Sequence, residues 1–243
     1  MNPLSKDELI RYNRQILLPE IGIKGQEKLK NAKVLVIGAG GLGCPALQYL
    51  CAAGIGTIGI VDFDKVELHN LHRQILFSVQ DVGKLKAETA VEKLKLHNPH
   101  VTFQVYNTLL NEENAHTLIA PFDVIVDGSD NFQTRYLVND TCVALNKPLV
   151  YGTILKFEAQ LAVFNYKNGI HLRDIYPEPP NTEDVPSCDQ NGVLGVVPGI
   201  LGVYMANAAI KIILGHEIGN HLFIYNFDTF EVKNLNLMYV NRH

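Results

Sequence analysis

The stretch Gly38-Ala39-Gly40-Gly41-Leu42-Gly43 spaces its glycines as a turn that holds backbone N–H groups against a phosphate. In that pattern Gly38 permits the tight turn, Gly40 lets the backbone approach a ligand, and Gly43 lets the following helix pack closely on its strand. The helix opening at about Gly41 would add free N–H groups and the positive end of its dipole. A second cluster follows, with Asp62-Phe63-Asp64, then Asn70, Arg73 and Gln74, then Lys86. Asp62 ends a strand, where a dinucleotide-binding fold places the acid that bonds a ribose hydroxyl. That acid suits NAD as well as ATP. Arg73 and Lys86 favour a triphosphate, because its β- and γ-oxygens need cations and a neighbouring acid can hold Mg2+. The third cluster is Asp127-Gly128-Ser129-Asp130-Asn131. Coming directly after a strand, it aims Asp130 at the same crevice as Gly41. Asp130 could also serve as the N-cap of the next helix.

These clusters need a scaffold, and the hydrophobic pattern supplies one. Residues 33–37 read as a short buried strand, 41–53 as a helix closed by Gly54, and 57–61 as a second strand. The alternation continues with a helix near 84–97, strands near 101–106 and 123–127, a helix near 131–145 and a strand at 148–151. Strand–helix alternation of this kind predicts an α/β fold, a Rossmann-like, mostly parallel sheet with helices on both faces. The style then changes. Residues 159–164 read as a strand with no helix after it, and 174–191, rich in Pro, Asn, Asp and Glu, as a long loop. An apolar helix around 199–214 and two more strands near 222–225 and 230–235 complete the chain, so the C-terminal strands are expected to be antiparallel. At the other end, Ser5 and Glu8 fit a capping box, with Leu4 and Leu9 as its staple, and the helix they open would carry Arg11, Tyr12, Arg14 and Gln15 toward its end.

Composition narrows the function classes. The chain has 243 residues, 47% hydrophobic and 19% charged, with a net charge of −4. A sizeable core is affordable, and one domain over 1–243 is the expectation: a helical arm over about 1–30, a nucleotide-binding core over about 31–155 and a remainder over about 156–243. The net charge gives no global attraction to nucleic acid or anionic membranes. The four cysteines, Cys44, Cys51, Cys142 and Cys188, form no Cys-x-x-Cys pair. Cys44, Cys51 and Cys142 read as core. No apolar stretch follows the first basic residues, so no secretory signal is read and the cytoplasm is the expected location. The uncharged run 193–210 is long enough to raise a membrane span, but its glycines, Pro198 and Asn207 favour a buried helix.

The segments Arg11-Tyr12-Asn13-Arg14-Gln15, 38–43, 62–64, 70–74, 82–86 and 127–131 occur in order. They are followed by Pro177-Glu178-Pro179-Pro180, and by Ser187-Cys188 ahead of the apolar helix. In this combination the chain resembles the MoeB/ThiF/HesA family, bacterial relatives of ubiquitin-activating enzymes. The resemblance implies an adenylyltransferase. Such an enzyme uses ATP and Mg2+ to activate the C-terminal glycine carboxylate of a small ubiquitin-like sulfur-carrier protein, ending in Gly-Gly, in thiamine or molybdopterin synthesis. It implies that the turn around Gly41 and Leu42 holds phosphate, that Asp62 holds the ribose, and that Asp64, Asn70, Arg73, Gln74, Lys86, Asp130 and Asn131 surround the nucleotide. Asp130 would be the magnesium-binding or catalytic acid. Arg14 would reach the γ-phosphate from a partner subunit, which implies a homodimer. Residues 156–243 would bind the carrier and form the dimer. Cys188 would be placed to bond to the activated carrier or to sulfur, its thiolate favoured by the helix N-terminus that follows.

One departure stands out. Many family members hold a structural zinc with two Cys-x-x-Cys pairs. Here the first pair would fall at His171 and Asp174, and the second at the chain's end, Val240-Asn241-Arg242-His243. Both pairs are missing, so no family-type zinc is predicted, although His171, Asp174 and His243 could ligate a metal in principle. Two other function classes remain open on sequence. An NAD-dependent oxidoreductase is allowed by the glycine turn and Asp62, but no Ser/Tyr/Lys constellation for hydride chemistry is present. A non-catalytic binding relative would not need Arg14, Arg73, Lys86 and Asp130.

Overall fold

A computed structural model of the chain describes residues 3–180 and 192–237. It opens with helix α1 (Lys6–Arg11), where the Ser5 hydroxyl accepts from the Glu8 N–H at 3.2 Å and the Glu8 carboxylate from the Ser5 N–H at 2.7 Å. The expected single helix does not run on through Gln15. It breaks at Tyr12, and α2 (Asn13–Ile16) starts a new turn before α3 (Gly22–Asn31). The cause is tertiary. Tyr12 is buried against Gly54, and its hydroxyl accepts from Asn98 at 2.9 Å. Gln15 and Gln26 then donate to the Ala53 carbonyl, which the end of a helix leaves without an intrahelical partner.

Strands and helices alternate from there: β1 (Lys33–Ile37), α4 (Gly43–Ala53), β2 (Thr57–Val61), α5 (Lys86–His97), β3 (Thr102–Tyr106), α6 (Ala115–Ile119), β4 (Val124–Asp127), α7 (Phe132–Ala144) and β5 (Leu149–Leu155). β6 (Glu158–Phe164), α8 (Leu172–Ile175), α9 (Val196–Leu214), β7 (His221–Asn226) and β8 (Glu231–Asn236) complete the described residues. Among these residues eight strands form one sheet, in the order β3-β2-β1-β4-β5-β6-β7-β8. The first five are parallel and the pairs from β5 to β8 antiparallel. This is the mostly parallel sheet with antiparallel C-terminal strands that the sequence predicts. β5 runs further than expected, to Leu155, because it pairs along its whole length with β6 and turns back through Lys156, which takes a left-handed φ of 55°.

The period of two along each strand sorts side chains between the faces. Val34, Val36, Ile58 and Ile60 pack beneath Leu47 and Leu50 of α4, Leu94 of α5, and Leu201 and Met205 of α9. Leu35, Ile37, Ile125 and Leu149 face the other way, against Ile119 of α6 and Val138 of α7. Complete burial of one such side chain is worth about 1.5–3 kcal/mol. Helix α9 is apolar and long enough to cross a membrane by length and composition alone; half of its apolar stretch is buried here, against the sheet and α4.

Candidate nucleotide-binding site

The strand order reverses between β1 and β4, so their following loops leave in opposite directions and open a crevice beyond the carboxyl ends of the strands. A cavity of about 460 Å3 lies there, within the usual range for a small-molecule site. Ile37 and Val61 form part of its wall, and Gly38, Gly40, Gly41 and Leu42 run along it. The turn needs glycine at two positions. Gly38 has a left-handed φ of 85°. A Cβ on Gly43 would collide with the Gly38 carbonyl oxygen, so Gly43 lies behind the cavity as a packing contact rather than in its wall.

Asp62 lies at the end of β2, where the sequence predicts a ribose-binding acid. Part of its acceptor capacity is spent on the scaffold. One oxygen accepts from the Ala39 N–H at 2.7 Å and the other from the Asp64 N–H at 2.8 Å, tying the glycine turn to the next loop. Burial pushes its pKa up, opposed by Lys86 and by these N–H donors. Asp64 and Lys86, far apart in sequence, form an ion pair at 2.9 Å at the cavity wall. The ammonium is nearly buried and the carboxylate half exposed. Lys86 is the first residue of α5, and its N–H donates to the Asp64 carbonyl oxygen. The loop leading there is pinned by Asp81, which accepts from Ser78 and pairs with Lys84 at 3.3 Å and Lys93 at 2.7 Å. Burial opposes the Asp81 charge, but these partners outweigh it and hold the carboxyl well below the usual carboxylate range.

Arg73 reaches the cavity from the segment after the 3-10 turn Leu68–Asn70. Asn70 is buried and does not line the cavity itself. Its side-chain oxygen accepts from Arg73 Nη2 at 3.0 Å, while Nη1 lies 2.9 Å from His72 Nε2. Gln74 is buried beside them, its side-chain oxygen without a hydrogen-bond partner among the described residues. The first turn of α9 closes this side through Pro198, which packs beside Gly41.

On the opposite wall the loop after β4 brings Gly128, Ser129, Asp130 and Asn131 to the cavity. The cap of α7 is Asn131, whose side-chain oxygen accepts from the Thr134 N–H at 2.9 Å, and not Asp130. Capping therefore leaves the exposed Asp130 carboxylate available to the cavity. Asp127 behind it is fully buried, and burial raises its pKa against the opposing guanidinium of Arg135. The Ser129 hydroxyl beside it also favours the Asp127 charge. Arg135 Nε has no hydrogen-bond partner among the described residues, and an unpaired buried polar atom costs about 1–3 kcal/mol.

The structure thus brings Gly38, Gly40, Gly41, Leu42, Asp62, Asp64, Arg73, Gln74, Lys86, Asp130 and Asn131 to one cavity. Arg14 is exposed on α2 and does not line it. Cys188 and His243 lie outside the described residues. His171 and Asp174 form a capping box at α8, where the Asp174 carboxylate accepts from the His171 N–H at 2.8 Å. Among the described residues no group of three or more His, Cys, Asp or Glu side chains could hold a metal ion. Cys44, Cys51 and Cys142 are buried, as expected of core residues. Sequence reasoning missed His69, His72, Thr108 to Leu110, Thr134 and Arg135. For Arg135 a signal existed: it falls one turn after the Asn131 cap, on the face that turns toward the loop.

Comparisons with known proteins place the chain in a family. Residues 12–242 match the ThiF family. The chain is 48% identical over 229 residues to a sulfur carrier protein adenylyltransferase of Thermus thermophilus, covering 91% of this chain and 84% of that protein. It is 48% identical over 236 residues to the adenylyltransferase and sulfurtransferase MOCS3 of Anopheles gambiae, covering 96% of this chain and 54% of that protein, so it spans about half the length of that relative. Among solved structures, Escherichia coli MccB with ATP superposes with a TM-score of 0.73 at 25% identity, over 87% of this chain and 66% of that one. The chain belongs to the ThiF family.

Proposed function

We propose that this chain is an ATP-dependent adenylyltransferase that activates the C-terminal carboxylate of a sulfur-carrier protein. The observation that carries the reading is a single cavity that joins a glycine turn, the cations Arg73 and Lys86, and the exposed acid Asp130. The names of the two relatives, an adenylyltransferase of a sulfur carrier and MOCS3, support the substrate class. The MccB structure with ATP supports the nucleotide.

The reaction is in-line attack of a carboxylate oxygen on the α-phosphorus of ATP. A new O–P bond forms, the bond to the bridging oxygen breaks, and pyrophosphate leaves. No general base is needed, because a carboxylate is ionised at pH 7. The chain's work is positioning and charge neutralisation. The glycine turn offers backbone N–H groups to phosphate, and Asp62 faces the ribose with the acceptor capacity left over from the scaffold. Arg73, oriented by Asn70, and Lys86, oriented by Asp64, neutralise the departing pyrophosphate. Asp130 would hold a magnesium ion arriving with the nucleotide, an arrangement suited to one carboxylate plus phosphate oxygens. That ion would offset charge on the triphosphate.

Arg14, exposed and outside the cavity of its own chain, acts on the γ-phosphate in the second site of a homodimer. The region over 156–243 receives the carrier, whose Gly-Gly end threads toward Asp130, in thiamine or molybdopterin synthesis in the cytoplasm. The test is ATP–pyrophosphate exchange with purified chain, Mg2+ and a panel of carriers ending in Gly-Gly. Exchange that appears only with a carrier supports the reading; none with any carrier, or equal exchange without one, sinks it.

A further inference from the structure

Arg135 lines the cavity yet is only 4% exposed. It sits one turn inside α7, and its guanidinium folds back toward the loop before the helix. Nη2 donates to the Ser129 carbonyl oxygen at 2.9 Å, and Nη1 to the Tyr151 hydroxyl on β5 at 3.4 Å. The guanidinium carbon lies 5.5 Å from the centre of the Tyr151 ring and 5.7 Å from that of Phe132. From the other side, Asp127 Oδ1 accepts from the Ser129 N–H at 3.0 Å. Ser129 is therefore gripped at both its N–H and its carbonyl, by two buried charged side chains from different elements. The residue after it is Asp130.

Burying a guanidinium is a costly way to stabilise a fold, and apolar side chains of similar volume often do as well. What an arginine adds is a rigid planar fork that holds two acceptors at a fixed spacing and angle, where a lysine offers a point charge with freely rotating donors. The Ser129 carbonyl belongs to the peptide that carries the Asp130 N–H, so fixing that oxygen fixes the peptide plane from which Asp130 departs. We propose that Arg135 is a positioning residue, locking the Ser129–Asp130 peptide and so setting the direction in which the Asp130 carboxylate enters the cavity. It acts through Asp130 and not by touching the nucleotide. The kinetic consequence rests on the adenylation reading; the anchoring itself does not.

Two variants test this. Arg135→Lys keeps the charge and loses the fork; Tyr151→Phe keeps Arg135 and removes one of its partners. In the free protein, amide hydrogen exchange at Ser129, whose N–H is held by Asp127, should quicken about tenfold or more in Arg135→Lys and less in Tyr151→Phe. In carrier-dependent exchange, kcat should fall on the order of 100-fold in Arg135→Lys, as expected of a misplacement of about 1 Å. The KM for ATP should stay within about threefold, because the glycine turn, Arg73 and Lys86 are intact. Unchanged amide exchange at Ser129 overturns the proposal, as does a loss confined to the KM for ATP. A lower melting temperature with wild-type kcat per folded molecule marks a purely structural arginine and also overturns it. If Arg135→Lys fails to fold, Tyr151→Phe decides, with a kcat loss of about threefold expected and none contradicting. If the wild-type chain shows no exchange with any carrier, the adenylation reading fails while the amide measurement still decides the anchoring.

Discussion

The two halves of the sheet solve different problems with the same strands. In the parallel half, β1, β2 and β4 are buried nearly end to end, and the glycine turn, Asp62 and Asp130 come just past their carboxyl ends. In the antiparallel half, β8 is exposed along its length at the sheet's edge, with Val232 and Leu235 both exposed, one on each face. A buried parallel strand can carry no chemistry itself, but it delivers loops to one place with little freedom. An exposed edge strand fixes nothing, yet offers backbone and apolar side chains to another chain. The difference teaches that the nucleotide site and the carrier surface proposed above are separable, the first depending on loops after β1, β2 and β4 and the second on the C-terminal strands.

The hardest strike at that division is at the cations. Arg73→Ala or Lys86→Ala should cut carrier-dependent pyrophosphate exchange on the order of 100–1000-fold, as does loss of one preorganised charge-stabilising donor elsewhere. Equal losses from substitutions on β8 would erase the distinction. A second strike tests the scaffold of the parallel half without touching its cavity. Asp81→Ala should lower stability by about 2 kcal/mol, read by urea unfolding, because it removes charge-assisted hydrogen bonds from Ser78, Lys84 and Lys93. The folded carboxyl titrates below its unfolded value of about 3.9, so this contribution is complete above that pH and is lost as pH falls through the lower folded value. The stability gap between wild type and Asp81→Ala should accordingly shrink below about pH 4; a gap independent of pH would assign the effect to packing. The mildest effect is expected at the edge. The pair Val232→Glu and Leu235→Glu should raise the KM for the carrier about tenfold, roughly 1.4 kcal/mol, and leave the KM for ATP within about twofold. A shift in the ATP value instead would place the edge strand in the nucleotide's business.

Much of the parallel half was legible in the sequence, because its signals are local. Val34 to Ile37 alternate between faces, Gly38 and Gly43 mark their turn, and the Ser5 and Glu8 box forms as spaced. What escaped depends on residues distant in sequence. The helix through Gln15 breaks because Tyr12 finds Asn98 and Gly54. Asp64 and Asn70 read as nucleotide contacts, and the structure shows what each holds, Lys86 and Arg73 respectively. Asp130 read as a candidate cap until Asn131 took that place. Arg135 carried a motif-free signal, meaningful only once Ser129 and Tyr151 are seen beside it.

Attack at the α-phosphorus and attack at the γ-phosphorus send a label in ATP to different products. Chain, carrier and ATP labelled at the α-phosphate, rapidly quenched in acid, should yield carrier bearing labelled AMP at its C-terminal carboxyl, with unlabelled pyrophosphate released in equal amount. Label recovered as ADP, with free phosphate split from the γ-position and no nucleotide on the carrier, would contradict the account.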